Sequence, residues 1–401
     1  MCVFAYKVPA VGCASSASCA CYACLLLPAG GGSVGLLCPR PRDGGVVVST
    51  AEEALPTGES LPLWVQKLLA LGRSAPTSNL GNLKGKRVVV DSGGKNHFRS
   101  INEALSAAED KAGGCYIIFI KEGIYEESIT IKRKHVILVG EGIGKSVITG
   151  NKSAAFDDLD TSQTATLSVH GSGFMAQDLT IANTTGPAGK QAVALFSRSN
   201  RSLVYRCSIE GYQDTLDADT GLQMYLESSI HGTVDFIFGY ARAAFLGCPL
   251  LVRRGTPAGT DSKHNHNVFH NCSVTADDGV NLTGVDTFLG RPWKNHSHVM
   301  FMESFLDSIV HSAGRVEWNR TQGQIPETVV YLEYGNSGPG ADTSRRINSR
   351  AVRVASCSEA EGYTADVFVK APQWMPKPKQ GVLIPYTNRL QHPCTGTPRP
   401  T

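Results

Sequence analysis

Four polar side chains that could do chemistry recur at a nearly constant spacing in this 401-residue sequence. Gln191 and Gln213 are 22 residues apart, and Asp214 and Asp235 are 21 residues apart. Two carboxylates about 5 Å apart cannot both ionise cheaply, so one can attack as an anion while the other donates a proton. Primary amides add uncharged N–H donors, which suit a developing oxyanion. Arg291 could orient one carboxylate through a bidentate pair.

The same spacing predicts the element that positions these residues. A period of about 20 residues on a strand-rich chain is typical of a solenoid in which each coil adds a strand. Neighbouring strands lie ~4.8 Å apart, so residues one coil apart stack on one face. Taken singly, each polar residue is better explained as part of a surface ladder that caps turns, whereas the set favours a site.

A second repeat supports the solenoid. It consists of an aromatic residue or valine, two residues, a small or polar residue, one residue and an aliphatic residue. The repeat begins at Phe174, Val204, Tyr225, Phe245, Phe269 and Phe301. It predicts a single parallel β-helix from about Lys86 to Pro376, with the repeated aliphatic side chains facing inward.

Two further expectations follow from the same pattern. Cys207, Cys248 and Cys272 occupy one repeat position, so we expect an inward stack rather than reactive thiols. The apolar positions from Phe98 to Ala108 have helical period. A helix there would cap the open end of the solenoid, which otherwise exposes unpaired backbone.

Four short blocks, QAVAL, YQDTL, DFIFG and LGRPW, in this order and spacing, resemble the plant pectinesterases (pectin methylesterases). The resemblance extends from about Gly85 to Pro376. It implies an all-β fold, a right-handed parallel β-helix with short capping helices. It also implies an aspartyl esterase that hydrolyses the methyl esters of pectin (homogalacturonan) and releases methanol, with neither a metal nor an organic cofactor.

The resemblance also implies roles for individual residues. Asp235 would be the nucleophile, and Asp214 the general acid and then the base that activates water. Gln191 and Gln213 would hold the oxyanion, and Arg291 would orient Asp235. Substrate-binding rings are expected at Phe238, Trp293 and Tyr212.

The sequence departs from the family pattern around this site. Asp217 follows YQDTL where an aromatic residue is usual, and Arg315 replaces the first aromatic of a G-W-x-E-W block. Tyr240 follows DFIFG where Asn is usual, and the chain between Leu251 and Val268 is shorter and lacks a strand of the family. Because each lost ring removes a stacking surface for sugar, we expect weaker substrate binding.

Three other functions remain open at this stage. A close carboxylate pair also serves glycosidases, although paired glutamines suit an oxyanion better than an oxocarbenium ion. A pectate lyase would require a calcium-binding acidic cluster. A catalytically weak or inactive β-helix that binds pectin or the cell wall is supported by the altered aromatic positions and the missing strand.

Outside the repeat region, the termini have a different composition. Residues 1–80 form a low-complexity region and linker with six of the twelve cysteines, which we expect to be poorly ordered. Within it, Ser60–Leu71 is an amphipathic helix candidate, and Cys24–Pro28 resembles the core of a signal peptide without being a clear one. Residues 81–390 form the catalytic domain, and residues 391–401 form a disordered tail rich in Pro and Thr.

Composition and charge limit the partners. A hydrophobic content of 42% and a charged content of 18% are ordinary for a globular protein. The net charge of +3 permits attraction to an acidic polymer. No apolar run reaches the ~18 residues of a membrane span.

We expect a secreted monomer of the cell wall that binds pectin. By resemblance, it is also expected to bind a proteinaceous pectinesterase inhibitor. We expect it to bind neither nucleic acid nor membrane. Glycosylation sequons agree with secretion and begin at Asn151, Asn183, Asn200, Asn271, Asn281, Asn295 and Asn319.

Overall fold

The computed structural model describes residues 80–94, 97–108, 114–255, 259–262, 266–318, 325–377, 384–391 and 394, together with three short strands near the N-terminus. The chain divides into two compact units, Met1–Ala75 and Pro76–Thr401. In the first unit the three strands form an antiparallel sheet: β1 (Leu25–Ala29), β2 (Ser33–Leu37) and β3 (Val48–Ser49). The other expectations for residues 1–80, including the helix over Ser60–Leu71, lie outside the described residues, as does most of the 391–401 tail.

Three parallel sheets surround one core in the second unit, and each full coil adds one strand to each sheet. Sheet 1 contains β7 (Ile129–Ile131), β10 (Leu167–Val169), β13 (Leu195–Ser197), β16 (Leu216–Ala218) and β19 (Ile237–Phe238). Sheet 2 contains β4 (Gly85–Val90), β5 (Cys115–Ile120), β8 (Val136–Gly140), β11 (Met175–Gln177), β14 (Ser202–Tyr205), β17 (Leu222–Leu226), β20 (Arg242–Leu246), β23 (His266–His270), β26 (His298–Met302), β28 (Val330–Tyr334) and β29 (Val352–Val354). Sheet 3 contains β6 (Gly123–Glu126), β9 (Ser146–Gly150), β12 (Thr180–Asn183), β15 (Ser208–Glu210), β18 (Ser229–Gly232), β21 (Pro249–Val252), β24 (Ser273–Ala276) and β27 (Phe305–Leu306). The predicted right-handed parallel β-helix is confirmed.

A one-residue corner joins sheet 2 to sheet 3 in most coils. Its backbone is left-handed, with φ between 47° and 61°, at Asp178, Arg206, Glu227, Gly247, Asn271, Glu303 and Gly335. The residue after this corner points inward, and there the predicted stack of Cys207, Cys248 and Cys272 is confirmed, because all three are buried. Each thiol donates to the backbone carbonyl two residues earlier. Burial raises the pKa of Cys207 to about 12, so its thiol stays protonated at neutral pH.

The register of the second repeat is confirmed in five of its six copies. Val204, Tyr225, Phe245, Phe269 and Phe301 lie opposite one another on successive strands of sheet 2. The four rings stack with centroid distances of 4.6, 4.7 and 4.4 Å. The copy assigned to Phe174 was wrong by two residues, because Ala176 lies opposite Val204 and the corner falls at Asp178.

Helices lie at the ends and edges of the β-helix. The first was predicted over Phe98–Ala108 but is shorter, because Phe98 still pairs with β4 and the Ser100 side chain caps the first turn. Its Ala104 carbonyl accepts a bond from the Tyr116 hydroxyl, which fixes the helix over the end of the core. The α-helices are α1 (Ile101–Ser106), α2 (Ala154–Asp157), α3 (Cys357–Glu361) and α4 (Ala365–Phe368). The 3₁₀ turns are Leu80–Asn82, Thr161–Thr164, Pro187–Gly189, Pro339–Ala341 and Ala371–Gln373.

The segment between Leu251 and Val268 differs from the prediction that a strand is missing. It contains β22 (Gly259–Ser262), which pairs in parallel with β25 (Phe288–Pro292). Asp261 lies opposite Arg291 in this pair. The strand escaped sequence analysis because its partner is almost thirty residues away and its own residues are small and polar.

Two features of the described residues bear on processing. A disulfide joins Cys357 to Cys394, a pairing that the sequence left open. The sequon at Asn183 is inaccessible, because its side-chain amide is buried and donates to three backbone carbonyls. In the part of the chain that is described, no helix is long and apolar enough to cross a membrane.

Candidate active site

The two aspartates occupy equivalent positions on adjacent coils. Asp214 precedes β16 and Asp235 precedes β19, each by two residues, and Leu216 lies opposite Ile237 in the register. The Asp214 N–H donates to the Val234 carbonyl at 3.2 Å, which brings the two turns side by side. Both residues have a left-handed backbone, with φ of 62° and 53°, which short polar side chains tolerate best after glycine. Both carboxylates are buried.

The two glutamines lie on the same side of the solenoid. Gln191 and Gln213 form an isolated parallel bridge, and the Ala192 N–H donates to the Gln213 carbonyl at 3.1 Å. Both are partly exposed. Because Gln213 directly precedes Asp214, the backbone brings the predicted amides and carboxylates together on three successive coils.

Arg291 makes the predicted bidentate pair with Asp235. Its Nε donates to Oδ1 at 3.0 Å, and its Nη2 donates to Oδ2. Arg291 is carried by β25, so a segment more than fifty residues away orients this carboxylate. A guanidinium in this geometry favours the ionised carboxylate and fixes its plane.

Trp318 is a site residue that sequence analysis left without a role. The Arg291 guanidinium lies over its ring at 4.0 Å, and the ring meets Trp293 edge-on at 4.2 Å. Trp293, predicted to bind substrate, is 37% exposed. The G-x-x-E-W block could have indicated Trp318 as a site residue from the sequence. Its contact with Arg291, however, depends on how two distant segments pack.

The other two predicted substrate-binding rings are placed differently. Phe238 is only 2% exposed and packs with Ala165, Val193 and Phe196. Tyr212 is partly exposed and borders a cavity of about 470 Å³. The Arg253 guanidinium lies 5.5 Å from the centre of the Tyr212 ring.

Asp217 and Arg315, the two departures from the family pattern, lie in different environments. Asp217 lies on β16 between Phe196 and Phe238, on the outer face of sheet 1. Arg315 was expected at the substrate surface, and that expectation was wrong, because its side chain is 1% exposed. Its guanidinium stacks on Tyr331 at 4.3 Å, and its Nη1 donates to the Leu289 carbonyl at 2.7 Å. Burial lowers the pKa of Arg315 to about 10, so it remains a cation at neutral pH.

The donor set of this site is suited to acid–base and nucleophilic chemistry rather than to metal binding. It combines two carboxylates, two amides and one guanidinium, and the guanidinium occupies both oxygens of Asp235. Across the described residues, no three His, Cys, Asp or Glu side chains form a group that could hold a metal ion.

Comparisons with known proteins identify the family. The family model described as Pectinesterase matches residues 87–372. Pectinesterase 2 of Citrus sinensis is 39% identical over 349 residues, which cover 83% of this chain and 65% of the relative. Putative pectinesterase/pectinesterase inhibitor 38 of Arabidopsis thaliana is 39% identical over 318 residues, covering 76% and 65%. The chain therefore spans just under two thirds of the length of these curated relatives.

Solved structures agree with this assignment. The pectin methylesterase from carrot superposes with a TM-score of 0.71 at 32% identity, covering 76% of this chain and 98% of that one. A pectin methylesterase from Aspergillus niger gives a TM-score of 0.63 at 29% identity, with the same coverage. The fold, the match to the family model and these relatives lead to one conclusion: this chain belongs to the pectinesterase family.

Proposed function

We propose that this protein is a pectinesterase, a carboxylic ester hydrolase that removes methyl esters from the homogalacturonan of pectin. The observation that carries the proposal is the bidentate Arg291–Asp235 pair, one coil away from Asp214. The pair supplies an ionised, oriented carboxylate, and the adjacent aspartate can hold a proton. Membership in the pectinesterase family supports the substrate.

In the first step, the Asp235 carboxylate attacks the carbonyl carbon of the ester. Negative charge develops on the carbonyl oxygen, where the side-chain amides of Gln191 and Gln213 donate hydrogen bonds. The C–O bond to the methoxy group then breaks, and Asp214 gives its proton to the leaving oxygen, so that methanol departs. An acyl-enzyme anhydride on Asp235 remains.

In the second step, water attacks the acyl carbon of this anhydride. Asp214, now a carboxylate, takes a proton from that water. The tetrahedral intermediate collapses to the Asp235 carboxylate and the free galacturonate acid, which loses its proton to solvent. Arg291 favours the ionised form of Asp235 throughout, which makes this carboxylate a good leaving group.

The structure weakens the two observations behind a non-catalytic pectin-binding or wall-binding protein. The segment where a strand was thought to be missing contains a strand, β22. Arg315 lies in the core, so Asp217, on the outer face of sheet 1, is the one altered aromatic position that remains. A glycosidase is disfavoured because the paired amides suit an oxyanion.

The remaining proposals concern setting and partners. We place the protein in the extracellular cell wall as a secreted monomer that acts on pectin without a cofactor. A proteinaceous pectinesterase inhibitor is its expected protein partner, in line with the names of the Arabidopsis thaliana relatives. Residues 1–80 are proposed to be a separate region that takes no part in catalysis.

The test is methanol release from methyl-esterified pectin, measured beside the appearance of new reducing ends. The proposal expects methanol without reducing ends. New reducing ends would indicate glycoside cleavage instead. Binding of pectin without either product would support the non-catalytic alternative.

A further inference from the structure

Four charged or titratable side chains gather where sheet 3 leads into sheet 1, beside the coils of the proposed active site. Glu210 and His231 lie opposite each other on β15 and β18. Arg253 directly follows β21, and Asp277 directly follows β24. We call these four residues the turn cluster, and three of them border the cavity of about 470 Å³ beside Tyr212. None of the four takes part in the proposed steps of ester hydrolysis, so their grouping needs another explanation.

Arg253 is the centre of the turn cluster, and its contacts extend over four successive coils. Its Nε donates to Asp277 at 2.8 Å, and its Nη2 donates to Glu210 at 3.3 Å. Its Nη1 donates to the Gly211 carbonyl at 3.0 Å, and its backbone N–H donates to the Gly232 carbonyl at 2.7 Å. A guanidinium can serve several acceptors at once because its five N–H donors lie in one rigid plane. The side chain therefore reaches past the neighbouring coil to the coil beyond it.

Asp277 holds Arg253 in this orientation. Its backbone N–H donates to the Val252 carbonyl at 2.9 Å, and its Oδ2 accepts a second hydrogen bond from His231 Nδ1 at 3.0 Å. Burial raises the pKa of Asp277, but the hydrogen bonds from Arg253 and His231 outweigh burial and lower this pKa overall. Asp277 is therefore an anion at neutral pH and a fixed partner for the Arg253 guanidinium.

The turn that Arg253 contacts carries two residues of the proposed active site. Gln213 and Asp214 follow Gly211 by two and three residues. Asp214 has a left-handed backbone with φ of 62°, a conformation that costs free energy and persists only where surrounding contacts hold it. One such contact is the hydrogen bond from its N–H to the Val234 carbonyl on the next coil. Arg253 adds a charge-assisted hydrogen bond at the start of the turn, to the Gly211 carbonyl.

We infer that Arg253 is a positioning residue for ester hydrolysis, which fixes this turn so that the Gln213 amide meets the oxyanion and the Asp214 carboxyl meets the leaving group. The inference rests on the proposed function. Arg253 acts through the turn, because all three nitrogens of its guanidinium already donate to protein oxygens. Gln213 and Asp214 act on charge that develops in the transition state, so a displaced turn lowers kcat rather than raising KM. A displacement of about 1 Å can cost on the order of 10²-fold in rate.

The experiment removes the donors of Arg253 and compares the result with a change at the next residue. Arg253→Gln removes the guanidinium, and Arg253→Ala leaves a space that added guanidinium can enter from the cavity beside Tyr212. Arg254→Gln is the matched control, because this exposed arginine borders the same cavity but donates to the Asn281 carbonyl, outside the turn. Methanol release from esterified pectin gives kcat and KM. Backbone hydrogen exchange is measured by mass spectrometry without substrate.

Arg253→Gln is expected to lower kcat roughly tenfold to a hundredfold, with KM within about twofold of the wild type. Low-millimolar guanidinium chloride should raise kcat of Arg253→Ala by roughly fivefold or more, whereas sodium chloride at the same ionic strength should not. Backbone amides of residues 211–216 should exchange roughly tenfold faster in Arg253→Gln, and those of β25, which carries Arg291, should keep their wild-type rates. Arg254→Gln should match the wild type in every measurement.

An unchanged kcat in Arg253→Gln, or a loss shared between kcat and KM that guanidinium does not reverse in Arg253→Ala, would overturn the inference. Equally faster exchange in β25 would also overturn it, because Arg253 would then stabilise the whole second unit. If Arg253→Gln fails to fold, Asp277→Asn keeps the test valid. This isosteric change retains Arg253 but removes the charge that holds its Nε, so kcat must still fall with KM unchanged.

The exchange measurement needs no turnover, which separates this inference from the proposed function. Absence of methanol from the wild type would contradict the proposed function alone. The exchange rates of residues 211–216 would still decide whether Arg253 fixes the turn.

Discussion

Asp235 owes its proposed role to three neighbours rather than to its own chemistry. Arg291 favours its anion through two hydrogen bonds, the left-handed turn sets its position just before β19, and Asp214 lies one coil away. A carboxylate without such support is a poor nucleophile in water, because solvation stabilises it.

Asp235→Asn is expected to abolish methanol release while the protein stays folded, because an amide of the same shape cannot attack as an anion. Gln213→Ala is expected to lower kcat on the order of 10²-fold, the usual loss for one oxyanion donor. Initial rates on esterified pectin, with circular dichroism as the check on folding, measure both effects. Full activity in Asp235→Asn would refute the assigned nucleophile.

Arg315 is the opposite case, because this charged residue is buried and therefore cannot contact a sugar ring. Within the described part of the chain, its Nε and Nη2 nitrogens have no hydrogen-bond partner, and only Nη1 bonds to a carbonyl. Two buried unsatisfied donors cost about as much as the packing of the side chain contributes.

Arg315→Met is therefore expected to leave the free energy of unfolding unchanged or to raise it by about 1–2 kcal/mol. KM for pectin should stay within twofold of the wild type, since the side chain is remote from substrate. Urea denaturation and steady-state kinetics give the two values. Arg315→Lys serves as the control that retains a charge, and a loss above about 3 kcal/mol in Arg315→Met would show that the guanidinium is a structural ion.

At the scale of elements, cysteine and serine are interchangeable at the inward-pointing position that follows the corner between sheets 2 and 3. Ser228 and Ser304 occupy the same inward position as the three buried cysteines, and each hydroxyl also donates to the carbonyl two residues earlier. In these five coils a small side chain with a single donor fills the position, whereas the aliphatic Leu179 fills it after the corner at Asp178. The position therefore does not require a thiol.

This equivalence predicts that Cys248→Ser changes the free energy of unfolding by less than about 1 kcal/mol, because the hydrogen bond is kept. Cys248→Leu should cost about 1–3 kcal/mol, because Cys248 is fully buried and a larger side chain must displace its neighbours in this coil. Chemical denaturation of the purified variants tests both. Equal losses in the two variants would show that the thiol itself matters.

On the scale of the whole molecule, the stacked rings connect coils across the middle of the solenoid. Phe245 is fully buried between Tyr225 and Phe269, with ring centroids 4.6 and 4.7 Å away. Sheet 2 continues without a break on both sides of it, from Gly85 to Val354. A cavity left by removal of the Phe245 ring should therefore lower the stability of the whole second unit rather than that of one end.

Phe245→Ala is expected to lower the free energy of unfolding by about 3–5 kcal/mol, the usual cost of removing a buried ring. The described tryptophans lie in coils on the C-terminal side of Phe245 and at the C-terminal end of the second unit. If the whole unit unfolds together, tryptophan fluorescence and far-ultraviolet circular dichroism should therefore report the same midpoint. Phe305→Ala, which alters an exposed ring, is the control. Two separated transitions in Phe245→Ala would show that the coils unfold independently.

The period of the chain determined most of the fold and the grouping of the site. Asp214 and Asp235 meet because equal coil lengths bring the same residue to the same face of neighbouring strands, and this is a property of sequence spacing alone. The same argument holds for the stack of Cys207, Cys248 and Cys272. Where coil length changed, as between Phe174 and Val204, the sequence no longer specified the register, and the corner at Asp178 decided it.

Contacts between distant segments were decided only by the tertiary structure. The pairing of β22 with β25, the position of Trp318 under Arg291 and the burial of Arg315 each depend on how one loop packs on another. Such packing has no period along the chain, and a side chain of either polarity can be covered if its stem and its donors find partners. Sequence spacing therefore determined which residues share a face, whereas only the folded chain determined which of them reach the surface.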